Sequence, residues 1–290
     1  DVDIVFGDRS RISGNFSFTG LPDIDQTSMH FKIKDLTTNK HDLEGIPLYP
    51  FEKGKLLETP DGFASLGDLH FKGGFDGFIY DFVAYGDCIT DIGKISLRDF
   101  AFVDGGNGQL ISFSGRELRA DNFDIGRYLN IKELGRITAN VKVNGSGLKA
   151  DNIVSNINGK INSLVYNNYA YHNMDVNGVL SKWNFSGDLA VKEDNIDMKF
   201  NGDVNYSGAL PVMNFHADII DANLVALNFV ETKDSLRLST TADFALTGNE
   251  LDNLSGYATL TNLEYHRNEE IFKIKKLKLE AEDNPIAKSL

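Results

Sequence analysis

The sequence predicts an all-β protein: a long, curved antiparallel sheet rolled into a groove, β-taco or solenoid-like, with short capping helices. Three observations predict it. Apolar and polar residues alternate with period two along nearly all of the 290 residues, which puts every second side chain on one face of a pleated strand. Polar turns such as Lys192-Glu193-Asp194-Asn195 divide the alternating runs at hairpin spacing. Helical periodicity appears only in short pieces.

In chain order, Ile12, Phe16 and Phe18 alternate across Gly14, and Met29, Phe31 and Ile33 alternate with His30 and Lys32, giving two early strands. Phe78, Tyr80, Phe82 and Ala84 form one row and Ile79, Val83 and Tyr85 the opposite one. That pattern predicts a single strand buried on both sides and a packed centre for the first third. Asp124 to Leu134 carries Ile125, Tyr128, Leu129 and Leu134 at helical spacing, enough for two or three turns. Ile137, Ala139, Val141 and Val143 make the next row.

A dense meander follows. Met174, Val176, Gly178 and Leu180 lead to Phe185, Gly187, Leu189 and Val191, then to Ile196, Met198, Phe200, Gly202, Val204 and Tyr206. Asp221 to Phe229, with Leu224 and Leu227, reads as a second short helix. Leu236, Leu238, Thr240, Ala242, Phe244 and Leu246 repeat the alternation, as do Ala258 with Leu260 and finally Ile274, Leu277 and Leu279.

A loose motif of an apolar residue, then Ser, Thr or Asn, then Gly recurs, as at Ile12-Ser13-Gly14, Val176-Asn177-Gly178 and Phe200-Asn201-Gly202. Its spacing is irregular and sets no repeat length. Glycines in phase with an apolar row remove bulk from the inner face and let a sheet coil, and ordinary bulge glycines would look the same. Strands on the order of 16 to 20 would make a flat sheet of roughly 80 to 95 Å. Open sheets rarely pass about 10 strands without curling or splitting, so two sandwich-like halves and one coiled trough are the outcomes open. The 6 prolines and the lack of a Pro/Ser linker favour continuity, with 1–290 as a segment of one elongated domain and its softest seam near 98–115. Asp104-Gly105-Gly106-Asn107-Gly108 makes a loop there.

Charge and motifs narrow the function. A net charge of −13 repels a phosphate backbone, and the one basic cluster, Lys273, Lys275, Lys276 and Lys278, alternates with Ile274, Leu277 and Leu279 as the wet face of a strand. Nucleic acid is not the expected partner. Cys88 is alone, so no intrachain disulfide or thiolate metal cage forms. No apolar run approaches the roughly 20 residues of a membrane span, and Asp1 opens directly in strand-like sequence, as expected of a piece cut from a longer chain. No nucleophile elbow, His-Glu-x-x-His pair, Walker loop or dinucleotide fingerprint is present. His30, His172 and His216 fall where the pleat turns them to the wetter face. The carboxylates Asp23 and Asp25 would suit glycoside hydrolysis only across a cleft. The oxygens of Glu193-Asp194-Asn195 and of the 104–108 loop lack calcium-loop spacing and read as turn chemistry. The expectation is a protein that is not an enzyme, with no cofactor and no metal.

The residues do resemble a family. Gly20-Leu21-Pro22-Asp23-Ile24-Asp25-Gln26-Thr27, Asp81-Phe82-Val83-Ala84-Tyr85-Gly86 and Thr90-Asp91-Ile92-Gly93 are similar to the repeat region of TamB-type proteins as found in Bacteroidetes. Asn122-Phe123-Asp124-Ile125-Gly126, Asn158-Gly159-Lys160-Ile161, Tyr166-Asn167-Asn168-Tyr169-Ala170-Tyr171, Asn201-Gly202-Asp203-Val204 and Ala222-Asn223-Leu224-Val225-Ala226-Leu227 extend the likeness over most of the chain. It rests on the order of degenerate motifs. The resemblance implies the AsmA-like superfamily: an inner-membrane anchor outside this segment, a periplasmic β-groove with an apolar lining, and phospholipid conducted between the inner and outer membranes. It also implies a partner outer-membrane barrel of the TamA/Omp85 type.

On that expectation the partners are phospholipid acyl chains and such a barrel, and the chain is a periplasmic interior segment of a bridge. The lining candidates are Val141, Val143, Val176, Leu180, Phe185, Leu189, Met198, Phe200, Val204, Leu238, Phe244 and Leu246. The same side chains would equally fill a closed core. The alternative function is an assembly chaperone that offers strand edges to nascent outer-membrane barrels.

Overall fold

A computed structural model describes the chain except for residues 22, 24–25, 48–53, 55, 60, 79–80, 105–110, 148–151, 182, 249–252 and 282–290. The described residues are all-β, with sixteen antiparallel strands and 6% helix, and the strands do not close into a barrel. They fall into two compact units that divide between Ile153 and Val154. The 98–115 stretch lies within the residues of the first unit. The Asp104-Gly105-Gly106-Asn107-Gly108 loop and the Asp23/Asp25 pair fall at least partly outside the described residues.

In the first unit, β1 (Val2–Phe6), β2 (Ser10–Thr19) and β3 (Ser28–Asn39) are followed by α1 (Lys40–Glu44) and a 3-10 turn (Asp61–Leu66). Then come β4 (Asp68–Phe78), β5 (Asp81–Thr90), β6 (Gly93–Val103), β7 (Ser112–Asp124), α2 (Ile125–Leu129) and β8 (Leu134–Ser146). The second unit is a meander of β9 (Val154–Tyr166), β10 (Tyr169–Ser181), β11 (Asn184–Glu193), β12 (Ile196–Asn205), β13 (Val212–Asn223), β14 (Leu236–Thr247), β15 (Ser255–Arg267) and β16 (Glu270–Ala281). Within each unit every strand pairs with its sequence neighbours. The turns follow from composition: Asn167 and Asn168 both take positive φ, 49° and 61°, as the tight turn between β9 and β10 requires.

Three sequence expectations are corrected. The row from Phe78 to Tyr85 is not one strand, because β4 ends at Phe78 and β5 begins at Asp81, which pairs back onto Phe78. Nor is it buried on both sides: Phe78, Val83 and Tyr85 are exposed, while Ile79 and Tyr80 lie outside the described residues. The helix expected over 124–134 stops at Leu129, where Asn130 enters the left-handed region and accepts the role of C-cap; Leu134 already starts β8. Asp221 to Phe229 is not a helix either. Asp221, Ala222 and Asn223 finish β13, and the chain then makes a turn in which the Asn223 carboxamide oxygen accepts from the Ala226 N–H at 3.1 Å.

The strict alternation is interrupted by three-residue steps. Leu97 and Phe100, Ala120 and Phe123, Tyr171 and Met174, and Leu260 and Leu263 each flank a residue in the left-handed region: Asp99, Asn122, Asn173 and Asn262, with φ between 48° and 53°. The cross-strand ladder skips these positions. Asn and Asp reach this conformation more readily than other residues with a Cβ. The extra residue advances the phase by one, so the next apolar side chain returns to the same face.

Each unit packs a small core at the margin where its odd-numbered strands end. In the first unit Leu66, Leu69, Ile92 and Phe123 are buried, with Ile125 and Tyr128 of α2 against them. In the second, Tyr171, Met174, Val191, Ile196 and Ala222 surround Leu227, which is fully buried. A polar post stands at the same margin of the first unit. Asp42 of α1 accepts hydrogen bonds from the Ser10 hydroxyl (2.6 Å) and from the Asp8 and Arg9 backbone N–H groups (3.1 and 3.0 Å), tying α1 to the β1–β2 turn.

Candidate functional site

The cross-strand register decides which side chains share a face. In the second unit Val176, Leu189 and Phe200 are direct partners on β10, β11 and β12, and Ala217 and Ala242 continue their row on β13 and β14. Leu180, Phe185 and Val204 form a parallel row that Met213 and Leu246 extend. Phe244 pairs with Phe215, and Leu238 with Ala222 and Tyr265. Met198 stands opposite Val191. Ten of the sequence-predicted residues are therefore gathered on one apolar face; Val141 and Val143, on β8, belong to the corresponding face of the first unit, opposite Leu118 and Gly115.

Within each unit the closest backbone packing is between sequence-adjacent strands and with the short helices. Val143 and Val176 are buried, Leu180 is 41% exposed, and the other nine candidates are half-buried. A closed core would bury all of them.

A feature the alternation alone did not reveal is a ladder of phenyl rings that crosses the strands. In the first unit it runs Phe16–Phe31–Phe75–Phe82–Phe102–Phe100–Phe113 from β2 to β7, with centroid separations between 4.4 and 6.1 Å. In the second it runs Phe185–Phe200–Phe215–Phe244 at 6.2, 5.0 and 4.8 Å. Such pairs contribute about 0.5–1.5 kcal/mol each beyond the area they bury. Phe215 was recoverable in principle from its place between Met213 and Ala217, two residues from each.

The in-phase glycines are the floor of this ladder. Gly178, Gly187 and Gly202 are direct partners across β10, β11 and β12. A Cβ on Gly178 would stand 2.8 Å from Cε2 of Phe185. In the first unit Gly73 pairs with Gly86, and the Phe71 ring lies over both, 2.7 and 2.6 Å from where their Cβ atoms would be. Glycine and phenylalanine are thus complementary halves of one surface: the missing side chains give the rings somewhere to lie.

The opposite face is polar. Lys160 and Asp175 pair at 3.2 Å, Asn201 donates to Asp188 at 2.8 Å, and His216 bridges Asp243 at 2.7 Å and Asp218 at 3.5 Å. Hydrogen bonding to Asp243, with the charge of Asp218 nearby, raises the His216 pKa. A hollow of about 590 Å³ opens among these residues around Ala190. Val176, Leu189 and Phe200 contribute to its lining together with the polar residues. The histidines are on wet ground as expected: the side chains of His30, His172 and His216 are 73%, 51% and 46% exposed. Among the described residues, one group of potentially ligating side chains, Asp8, His41 and Asp42, has its ligand atoms within 4.8 Å of one another. The hydrogen bonds of Asp42 to Ser10 and the β1–β2 turn already give that carboxylate a structural role.

The chain matches no protein-family profile, no curated protein and no solved structure.

Proposed function

We propose that this chain is an interior segment of a periplasmic bridge whose apolar face holds phospholipid acyl chains on their way between the inner and outer membranes, in support of outer-membrane biogenesis. The observation that carries this reading is the apolar face of the second unit, where the Val176–Leu189–Phe200 and Leu180–Phe185–Val204 rows run unbroken across strands and all their side chains but Val176 keep part of their surface exposed. An acyl chain crossing water exposes about 0.8 kcal/mol per methylene. A continuous apolar surface removes most of that barrier while the headgroup stays wet. The TamB-like order of motifs supports the same reading and supplies its setting: a protein anchored in the inner membrane, with an outer-membrane barrel of the TamA/Omp85 type as partner.

Native mass spectrometry of the purified chain tests it. Phospholipid should co-purify, and Leu189→Asp or Phe200→Asp, each placing a charge in the middle of the row, should reduce the lipid-bound fraction at least about tenfold. Folded variants that carry lipid undiminished would sink the proposal.

A second reading, strand augmentation of nascent barrels, draws on β16. This strand pairs only with β15 among the described residues, and nearly all its side chains are exposed, Ile271, Phe272, Ile274 and Leu279 among them. Photocrosslinkers placed along β16 would have to capture barrel precursors for that reading to replace the first.

A further inference from the structure

We infer that the connection between β13 and β14, residues 224–235, is a strap that closes one end of the apolar face of the second unit against acyl chains, and that releasing it lengthens the surface a chain can occupy. The inference deepens the acyl-binding reading as a control on that same site, and rests on it.

The strap folds back over the face that the candidate rows occupy. Met174 and Val191 are direct partners two residues along β10 and β11 from Val176 and Leu189, Met198 stands opposite Val191, and Ile196 stands opposite Ala222. Alternation and register therefore put Met174, Val191, Ile196 and Ala222 on the same face as the Val176–Leu189–Phe200 row. Leu227 is fully buried among these four and Tyr171, and the candidate lining residues Leu189 and Met198 pack against the same cluster. The apolar face is thus one surface under two degrees of cover. Its Leu180–Phe185–Val204 row keeps part of every side chain exposed, and its Met174–Val191 end lies under Leu227.

Little holds the strap down. Its own backbone bonds are local, from the Leu227 N–H to the Asn223 carbonyl at 3.0 Å and from the Phe229 N–H to the Leu224 carbonyl at 2.9 Å, and the Leu224 N–H donates to the Leu236 carbonyl at 3.0 Å to close its base. At its far end it reaches the turn that joins β9 and β10, although β11 and β12 lie between in the sheet. There the Asn167 carboxamide donates to the Asn228 carbonyl at 2.8 Å, and the Asn228 carboxamide donates to the Asn167 carbonyl at 3.1 Å. Among the described residues, this exposed reciprocal pair is what ties 225–231 by hydrogen bonds to another part of the unit. Both asparagines take positive φ, 49° and 62°, so glycine can replace either one without moving the backbone. Opening has to break one pair of neutral hydrogen bonds and uncover one leucine, and the apolar side chains it leaves bare are ones that an acyl chain covers again.

Asn167→Gly with Asn228→Gly removes both side-chain bonds and keeps both backbone conformations. Hydrogen exchange at the amides of 227–230 should quicken about tenfold while the strand amides stay protected. The apparent affinity for monomeric lysophosphatidylethanolamine, titrated by native mass spectrometry, should rise about threefold to tenfold, because affinity is reduced by the fraction of molecules that are closed. In the unaltered chain, saturating lysophosphatidylethanolamine should quicken the same strap amides. The inference is overturned if the double variant frees the strap and binds no tighter, or if exchange at 227–230 ignores the two substitutions. It is also overturned if lipid slows the strap amides of the unaltered chain, which makes the segment a clamp on a bound chain and not a barrier to it. Binding keeps the two proposals apart: lipid held equally by both proteins removes the strap alone, whereas lipid held by neither removes the acyl-binding reading and the role of the strap with it.

Discussion

Asp42 shows how one polar side chain positions a margin of the fold. Its carboxylate receives the Ser10 hydroxyl, the Arg9 and Asp8 backbone N–H groups and the Asn39 carboxamide, and the first of these does most to hold its pKa far below the ordinary carboxylate value of 3.8. Hydrogen bonds to the charged form favour that form. The folded pKa is depressed, so the stabilisation is complete above the unfolded value and is lost only as pH falls through the folded one. Acid unfolding should therefore retain this network well below pH 3.8 and lose it only in strong acid. Asp42→Ala takes the charged acceptor from the fully buried Ser10 hydroxyl, leaving it only Thr38, and removes the acceptor of two backbone donors. In urea its unfolding midpoint should fall well below that of Asp3→Ala, whose carboxylate pairs with Arg11 on the exposed surface. Equal midpoints would show that the post is not structural.

At the scale of elements, the ladder and its glycine floor are what the strands are built around. Phe100 is 7% exposed and lies against Gly115, while Phe18, whose ring meets Phe31 at 5.3 Å beside the β2 end of the ladder, is 50% exposed. Phe100→Ala removes a buried ring and leaves a gap that a sheet of paired strands cannot close, so it should cost about 3–5 kcal/mol; Phe18→Ala should cost about 1 kcal/mol. Chemical denaturation of both variants checks the ratio, and comparable losses would mean that the ladder does not organise the sheet. Much of this was legible: the rows Ile137–Val143, Met174–Leu180, Phe185–Val191 and Ile196–Val204 are strands where alternation places them, and their glycines are in phase with the apolar face. What alternation misread has a common cause. Period two cannot see a hairpin whose two arms carry the same phase, which is why Phe78 to Tyr85 looks like one strand. Nor can it see a left-handed Asn or Asp that shifts the phase by one. Short helical spacing at Asp221 to Phe229 was overridden by β13 pairing through Asn223. The ladder itself is a relation between strands, and only the register reveals it.

The exposed apolar rows have a thermodynamic consequence for the molecule as a whole. Leu180, Phe185 and Phe200 keep part of their apolar surface in water, and apolar surface hidden on folding is what makes the heat capacity of unfolding positive. A chain of this length with its apolar side chains fully covered would unfold with a ΔCp of about 3.5–4.4 kcal/mol/K. Here the sum over all transitions should come out lower in lipid-free protein. Phospholipid that settles on the exposed rows buries them in the native state, so binding should carry a negative ΔCp of its own and raise the unfolding temperature by mass action. Calorimetry with and without phospholipid reads both quantities. A lipid-free ΔCp at the fully covered value would mean that the apolar faces are already covered in solution, which leaves no open surface for an acyl chain to occupy.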